Sequence, residues 1–207
     1  MFDIFYTLYL GINKIVLRFS DDILSTVYQT PQWNSWKNQL LPIFTQLGLQ
    51  SHQIVRCMLA RIPPGAHITM HHDTGRWTTC THRMHIPIVT NANVVFRVGP
   101  GPFHMLRYNF QEGICYELNN RAKHEVYNGG DAWRVHLIFD WIDDGKRNST
   151  FSKCKSDAVS TVAVIIVGAI FISWFLFSCL LFNLSFQINP NSIYKKRRQE
   201  QYSCNYC

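Results

Sequence analysis

The spacing of hydrophobic positions changes near residue 54 of the chain. Before this point apolar residues recur at intervals of three and four, at Trp33, Trp36, Leu40, Ile43, Phe44 and Leu47. This spacing predicts an amphipathic helix over residues 31–50, and Gly48 is a residue type that ends helices. After this point short apolar runs alternate with turn residues, which is typical of strands.

Six short apolar runs follow, separated by turns rich in glycine, proline and asparagine. They cover residues 54–61, 84–89, 94–98, 105–108, 114–118 and 133–141. Several short strands at such spacing predict an all-β sandwich or barrel, and jelly rolls of this kind hold small-molecule sites between their sheets. We therefore expect a mainly β domain with an N-terminal helix over residues 1–145.

The C-terminal part of the chain has a different pattern. Residues 158–194 carry no charged side chain, residues 159–182 are almost wholly apolar, and the basic cluster Lys195–Arg198 follows. An uncharged apolar run of more than about 18 residues is long enough to cross a bilayer. We predict a linker over 146–158, one transmembrane helix over 159–182 and a short basic tail over 183–207.

Charge and cysteine content limit the remaining classes of function. The net charge is +7, and the charges of the domain are scattered without a basic stripe, so nucleic-acid binding is not favoured. The seven cysteines are odd in number and irregular in spacing, which does not indicate a disulfide framework. No secretory signal peptide is evident, and basic residues flank the apolar run on both sides. We expect a single-pass membrane protein whose domain faces the cytosol rather than a lumen.

Candidate chemistry begins with His71-x-Asp73 and a distant His124. Residues i and i+2 of a strand point the same way, so His71 and Asp73 would face one pocket. Two imidazoles and one carboxylate suit non-haem Fe(II), which they hold on one face while the other stays open. Arg134 follows ten residues after His124, where a fixed cation would anchor the carboxylate of a bound acid.

The positions of further polar residues support a shared pocket. We predict a three-residue hairpin loop at 128–130, which would pair His124 with Arg134 on one face. Arg83 and His85 likewise share one face of an apolar run. Buried charge without a partner is costly, so polar residues at such positions usually bind ligands. The other histidines are expected to be structural or at the surface; they include His67, His72, His82, His104 and His136. His136 shares the face of Arg134 and is also a candidate to line the pocket.

Five blocks between residues 64 and 140 resemble the aspartyl/asparaginyl β-hydroxylase family, which includes bacterial proline hydroxylases. The blocks are PGAHITMHHDTG, HRMHIPIVTN, GICYELNN, KHEVYNGG and WRVHLIFD, in the order of the family. The resemblance implies a double-stranded β-helix, a cupin-like jelly roll, that uses Fe(II), O₂ and 2-oxoglutarate as co-substrate. It also implies functions for six residues: metal ligation by His71, Asp73 and His124, and co-substrate binding by Arg134, Arg83 and His85.

Two departures from the family bear on this expectation. The chain keeps Asp73, where the animal enzyme of the family looks like a variant with glycine, and this places it nearer the microbial, small-molecule branch. It has Ala60 where that enzyme has a serine that helps to hold 2-oxoglutarate, so we expect a somewhat different hold on the co-substrate.

We therefore expect a dioxygenase that hydroxylates an amino acid or an amino-acid side chain of the Asp, Asn or Pro type, on a small-molecule or peptide substrate. Two alternatives stay open. One is a non-catalytic, membrane-tethered binding module, and the other is a cupin-like metal enzyme, such as an isomerase, that uses no keto acid. Arg134 discriminates among them, because only a co-substrate with a free carboxylate needs it.

Overall fold

Two antiparallel sheets lie face to face, and one helix packs against the outer face of the larger sheet. The computed structural model describes residues 11–143 and, for the backbone alone, residues 164–169. The elements in chain order are β1 (Asn13–Ser20), β2 (Val27–Gln29), α1 (Pro31–Gln46), β3 (Ile54–Ile62), β4 (His67–His71), β5 (His82–Val89), β6 (Val94–Gly99), β7 (Leu106–Tyr108), β8 (Ile114–Leu118), β9 (Lys123–Asn128), β10 (Arg134–Trp141) and β11 (Val164–Ala169).

The larger sheet has seven strands in the order β11-β8-β5-β10-β3-β1-β2, and the smaller has four in the order β4-β9-β6-β7. This arrangement confirms the mainly β, antiparallel jelly-roll prediction, and each of the six predicted runs forms a strand. The strands β1 and β2 were not predicted. In β1 the charged Lys14 and Arg18 interrupt the apolar positions, and β2 has three residues.

The inner faces of the two sheets share one hydrophobic core. Phe96 and Val126 come from the smaller sheet, whereas Ile62, Tyr116 and Leu118 come from the larger one. Because side chains alternate along a strand, the opposite face of the larger sheet needs a second cover. The helix α1 provides it, and Phe44 meets the β10 residue Phe139 edge to face at 5.0 Å between ring centroids.

The helix follows the apolar stripe that predicted it. Pro31 occupies the first turn, where its missing N–H is not needed. The buried residues lie at helical spacing and are Trp33, Trp36, Leu40, Ile43 and Phe44. The helix ends at Gln46, and Gly48 adopts a φ of +73°, which a residue without a Cβ tolerates best.

The predicted hairpin between His124 and Arg134 is wrong. The strand β9 pairs with β4 and β6, whereas β10 pairs with β3 and β5, so the chain crosses from one sheet to the other at residues 129–133. The side-chain amide of Asn128 donates to the carbonyls of Ile62 (3.0 Å) and Ala132 (2.9 Å), which satisfies backbone groups at the crossing. His124 and Arg134 therefore enter the interior from opposite sheets.

Residues 164–169, inside the predicted transmembrane helix, form the strand β11, which pairs with β8. Their sequence is rich in β-branched residues, which are common in strands. The rest of 159–182, with the predicted linker and tail, lies outside the described residues. Within the described part of the chain, no helix is both long and apolar enough to span a membrane.

The described cysteines differ in state. Cys57 and Cys115 are buried free thiols, whereas Cys80 is disulfide-bonded.

Candidate metal centre and pocket

The three predicted metal ligands lie together at one end of the space between the sheets. His71 ends β4 and is the register partner of His124 in β9, and their ring centroids are 4.4 Å apart. Asp73 follows β4, where its backbone N–H donates to the carbonyl of Asn120 at 2.9 Å. One ligand atom from each of the three residues lies within 4.8 Å of the other two. We call this group the metal centre.

Both histidines of the metal centre contact a backbone carbonyl through Nδ1. Nδ1 of His71 lies 2.8 Å from the carbonyl oxygen of Thr69, and Nδ1 of His124 lies 2.9 Å from that of Ala122. A carbonyl oxygen only accepts, so each Nδ1 carries the proton and each neutral ring keeps its lone pair on Nε2. Such second contacts fix the orientation and tautomer of metal-ligating histidines.

Arg83 bridges the carboxylates of Asp73 and Asp140. Arg83 donates from Nε and Nη2 to the two oxygens of Asp140, at 2.8 and 2.9 Å, and from Nη1 to Oδ2 of Asp73. Oδ1 of Asp73 lies 3.9 Å from Nε2 of His71. One carboxylate oxygen therefore bonds to the arginine, and the other points towards the histidine ligands.

The charges around Asp73 keep it ionised. Burial raises the pKa of Asp73, but the nearby Arg83, His124 and His71 together with a hydrogen bond from Asn120 outweigh burial and hold the pKa below its usual value. Burial lowers the pKa of His124 to about 4, although Asp73 opposes this. At neutral pH the carboxylate is thus charged and the imidazole of His124 is neutral, which are the forms that bind metal ions.

Arg83 and Asp140 also form part of a layered cluster beside the metal centre. The guanidinium groups of Arg56 and Arg83 lie 4.1 and 4.9 Å from the centroid of the Trp77 ring, as in cation–π contacts. Trp77 is buried and packs in a core with Leu24 and Val55. Asp140 is fully buried.

Arg134 is a buried cation that pairs with no carboxylate among the described residues. Arg134 is 2% exposed, and Nη2 donates to Nδ1 of His136 at 2.9 Å. Among the described residues no carboxylate pairs with Arg134, and Nε has no hydrogen-bond partner. Burial lowers the pKa of this guanidinium to about 9. We call Arg134 and His136 the arginine end of the pocket.

His85 lies between the metal centre and the arginine end. Its ring is buried 5.7 Å from that of His136, beside Phe96 and Phe110, and neither ring nitrogen has a partner among the described residues. Burial lowers the pKa of His85 well below its usual value, and the charges of Arg83, Arg134 and His124 lower it further. His85 thus lies among apolar rings with few polar neighbours, and small-molecule sites commonly combine such groups.

The structure brings His71, Asp73 and His124 together, and it places Arg134 in contact with His136, whose ring lies 5.7 Å from that of His85. Arg83 differs, because its hydrogen bonds go to Asp73 and Asp140 and not to the side of Arg134. The sequence argument gave little weight to His136, which has 0% exposure and contacts Arg134. Alternation along β10 was the available signal, since residues 134 and 136 share one face.

The other histidines and aromatic residues lie away from these groups. His67 bonds to Glu125 at 3.2 Å, and His82 stacks on Trp141, while His72 and His104 are exposed. Phe103 is 92% exposed in the loop between β6 and β7. Trp133 is partly exposed and covers the guanidinium of Arg61 at 4.2 Å.

The residues present fit both an iron ion and an anionic co-substrate. Two imidazole Nε2 atoms and one carboxylate oxygen form the donor set that non-haem Fe(II) takes. The buried donors of Arg134 and His136 that lack partners suit an acid group. Together the fold and this donor set define a jelly-roll protein with a candidate mononuclear metal centre.

The chain belongs to the aspartyl/asparaginyl β-hydroxylase family. The profile of that family, Aspartyl/Asparaginyl beta-hydroxylase, matches residues 25–143, which is more than half of the chain. This match confirms the family that the sequence blocks indicated, which is a family of hydroxylases. No curated protein matches the chain.

Three solved structures are similar to the chain. An oxidoreductase of the 2OG-Fe(II) oxygenase family from Burkholderia pseudomallei is 16% identical with a TM-score of 0.45, and the match covers 63% of this chain and 66% of that one, slightly under two thirds. A prolyl-4-hydroxylase from Pseudomonas putida is 20% identical with a TM-score of 0.37, over 65% and 72% of the two chains. A cupin domain from Bordetella pertussis is 18% identical with a TM-score of 0.32, over 42% and 80%.

Proposed function

We propose that this protein is an Fe(II)- and 2-oxoglutarate-dependent dioxygenase that hydroxylates an amino acid or an amino-acid side chain. The observation that carries the proposal is the pairing of two groups in one pocket. A set of two histidines and one aspartate stands at one end. At the other, a buried arginine has no carboxylate partner among the described residues.

The metal centre has the protonation states and orientation that ligation requires. His71 and His124 would bind through Nε2, since each Nδ1 donates to a backbone carbonyl. Asp73 would bind through Oδ1, because Oδ2 accepts a hydrogen bond from Arg83. One oxygen from Asp73 and one nitrogen from each histidine make three protein ligands, which leaves the remaining positions of the metal for other molecules.

When bound, Fe(II) would supply the activation of O₂ that the side chains cannot perform, coupled to oxidation of the keto acid. The protein would bind the co-substrate and exclude water from the reacting groups. Arg134 would bind the distal carboxylate of 2-oxoglutarate through charge-assisted hydrogen bonds, which the low polarity of the pocket strengthens. Phe96, Phe110 and Tyr116 would exclude water from the reacting groups.

The carboxylate of Asp73 bears on the type of reaction. A small residue at this position would leave a further metal position for halide or water. With Asp73 held by Arg83, that position is taken by a protein ligand. We therefore propose hydroxylation rather than halogenation, with a small molecule or a peptide as substrate.

The arginine end favours the dioxygenase over both alternatives. A cupin-like isomerase that uses no keto acid has no need of a buried cation, which costs free energy when it is unpaired. A binding module that had lost its chemistry would have no reason to keep the tautomers and charges of the metal centre. Arg134 and the metal centre are therefore explained together by one co-substrate with two acid groups.

Anaerobic titration of the purified full chain tests the proposal. We expect Fe(II) and then 2-oxoglutarate to produce a visible metal-to-keto-acid charge-transfer band, and we expect O₂ to discharge it with formation of succinate. Zinc in place of Fe(II) is the control, because it has no such transition. Binding of Fe(II) without the band would favour the isomerase, and no metal binding would favour the binding module.

Membrane attachment through the apolar C-terminal segment is a separate proposal, and it rests on sequence. We expect the full chain to resist extraction by alkaline carbonate and, on the sequence argument, its domain to face the cytosol. Protease protection of sealed vesicles tests that orientation. Release by carbonate as a soluble monomer would contradict the span and would agree with the pairing of β11 on β8.

A further inference from the structure

His136 is a buried side chain that neither the metal centre nor the core explains. It has 0% exposure in β10, directly opposite Ala60 of β3 in the sheet register. Its neighbours include the rings of His85 and Phe110, at 5.7 and 5.8 Å between centroids. A histidine in such surroundings needs hydrogen-bond partners for both ring nitrogens.

The contact with Arg134 determines which nitrogen of His136 carries the proton. Nη2 of Arg134 lies 2.9 Å from Nδ1 of His136. A guanidinium group only donates hydrogen bonds, so Nδ1 must accept. The ring is neutral, because burial lowers its pKa well below the usual value and the charges of Arg134 and His85 add to this effect. The proton of the neutral ring is therefore on Nε2.

Nε2–H of His136 is then a buried donor without an acceptor among the described residues. The same holds for Nε–H of Arg134, two residues earlier on the same face of β10. Leaving either donor unpaired would cost free energy. Ala60, across the strand pair, has no side-chain acceptor to offer. A ligand group with two acceptor oxygens, such as a carboxylate, would satisfy both donors.

We propose that His136 is a second anchor for the distal carboxylate of the co-substrate, beside Arg134. The inference rests on the proposed function and deepens it. Arg134 supplies the charge, and by donating to Nδ1 it also fixes the tautomer in which His136 donates. His136 is thus a co-substrate-binding residue whose donor exists because of its arginine neighbour.

The test compares two keto acids on the full chain loaded with Fe(II) under anaerobic conditions, with the charge-transfer band as the readout of binding. 2-Oxopentanoate carries a methyl group where 2-oxoglutarate carries its distal carboxylate. We expect His136→Leu to weaken 2-oxoglutarate binding by about 10- to 100-fold, as for loss of a hydrogen bond to a charged group. Binding of 2-oxopentanoate should change little.

Two further variants and one measurement complete the design. His136→Gln keeps an N–H donor near the position of Nε2, so it should bind 2-oxoglutarate more tightly than His136→Leu does. His104→Leu changes an exposed histidine and should leave both affinities as they are. Long-range ¹H–¹⁵N spectra of the unaltered chain should show His136 protonated on Nε2, whatever the variants do.

Each outcome bears on the inference. Equal weakening of both keto acids by His136→Leu, or protonation of His136 on Nδ1, would overturn it. Unchanged 2-oxoglutarate binding in His136→Leu would also overturn it, while the dioxygenase proposal would stand. An unaltered chain that binds Fe(II) but no 2-oxoglutarate would overturn both.

Discussion

Arg134 is buried and Arg83 is largely buried, yet their surroundings are opposite. Arg83 bonds to the carboxylates of Asp140 and Asp73. Although burial lowers its pKa, these carboxylates outweigh burial and raise it above the usual value. Arg134 has a histidine as its hydrogen-bond partner, and burial lowers its pKa to about 9.

We interpret Arg83 as a cation that stabilises the fold and Arg134 as a cation whose partner is a ligand. Two buried carboxylates require Arg83, so its removal would leave negative charge in the interior. Nothing in the described part of the chain requires the positive charge of Arg134, so the folded protein carries a cost there that an anionic ligand would relieve. Four predictions test this contrast, from the largest expected effect to the smallest.

The largest effect concerns the metal centre itself. Changing His71 or His124 to Ala removes one of three ligands, and we expect Fe(II) binding to be lost while the fold is kept. Isothermal calorimetry measures the binding, and circular dichroism checks the fold. His104→Ala is the matched control on an exposed histidine. Full metal affinity in both variants would show that the ligands were assigned wrongly.

The two arginines should differ in their effects on stability. Arg83→Met leaves Asp73 and Asp140 without their shared cation, and we expect the free energy of unfolding to fall by about 3–5 kcal/mol. Arg134→Met removes an unpaired buried charge and should be neutral or stabilising. Urea unfolding of the metal-free chain measures both, with the exposed Arg107→Met as control. Similar losses in the two buried variants would remove the contrast.

A fall in pH should lower the free energy of unfolding through both His124 and His136. The pKa of His124 is lowered to about 4 in the folded state, against about 6.5 in the unfolded chain. The unfolded chain therefore takes up the proton first, so the stability from His124 is fully present above pH ~6.5 and is lost as pH falls towards ~4. At about 1.4 kcal/mol per pKa unit, this loss reaches at most ~3.5 kcal/mol.

His136, at the arginine end, has the same sign, because its pKa is also lowered well below the usual value. Urea unfolding of the metal-free chain at several pH values measures the slope. His124→Gln and His136→Gln should each make it shallower, whereas His72→Gln, at an exposed position, should not. An unchanged slope in both buried variants would mean that other groups account for the acid sensitivity.

The smallest of the four effects is on co-substrate binding. Arg134→Met leaves the distal carboxylate of 2-oxoglutarate without its cation, and we expect a loss of at least ~2 kcal/mol, or a factor of ~30 in affinity. The affinity for Fe(II) should not change, since Arg134 contacts none of the metal ligands. Undiminished 2-oxoglutarate binding would favour the isomerase or the binding module.

The predicted site residues that could be placed together from sequence are those whose relation is local. His71 and Asp73 are two positions apart, so alternation along a strand is enough to place them together. Arg134 was identified from its distance to His124, although the hairpin invoked for it does not exist. Its position depends on β10 lying in the larger sheet, which alternation alone cannot show.

The contacts of Arg83 could not be predicted from the sequence for the same reason. Its partner Asp140 lies 57 residues away and is adjacent because β5 pairs with β10 in a particular register. Sequence pattern recognises an apolar strand with one charged face, but it does not say which charges meet. The apolar run at 164–169 shows a further limit, since β-branched residues suit a strand as well as a membrane helix.

The backbone contacts of His71 and His124 have a consequence for how the pocket can vary. Each ring is anchored to the carbonyl two residues earlier in its own segment, so its orientation does not depend on the loops that surround the pocket. Loops such as the one bearing Phe103 can then be exchanged, lengthened or mutated without disturbing the imidazole ligands. Substrate preference and metal ligation are therefore separable traits in this scaffold, and grafted loops should redirect one while preserving the other.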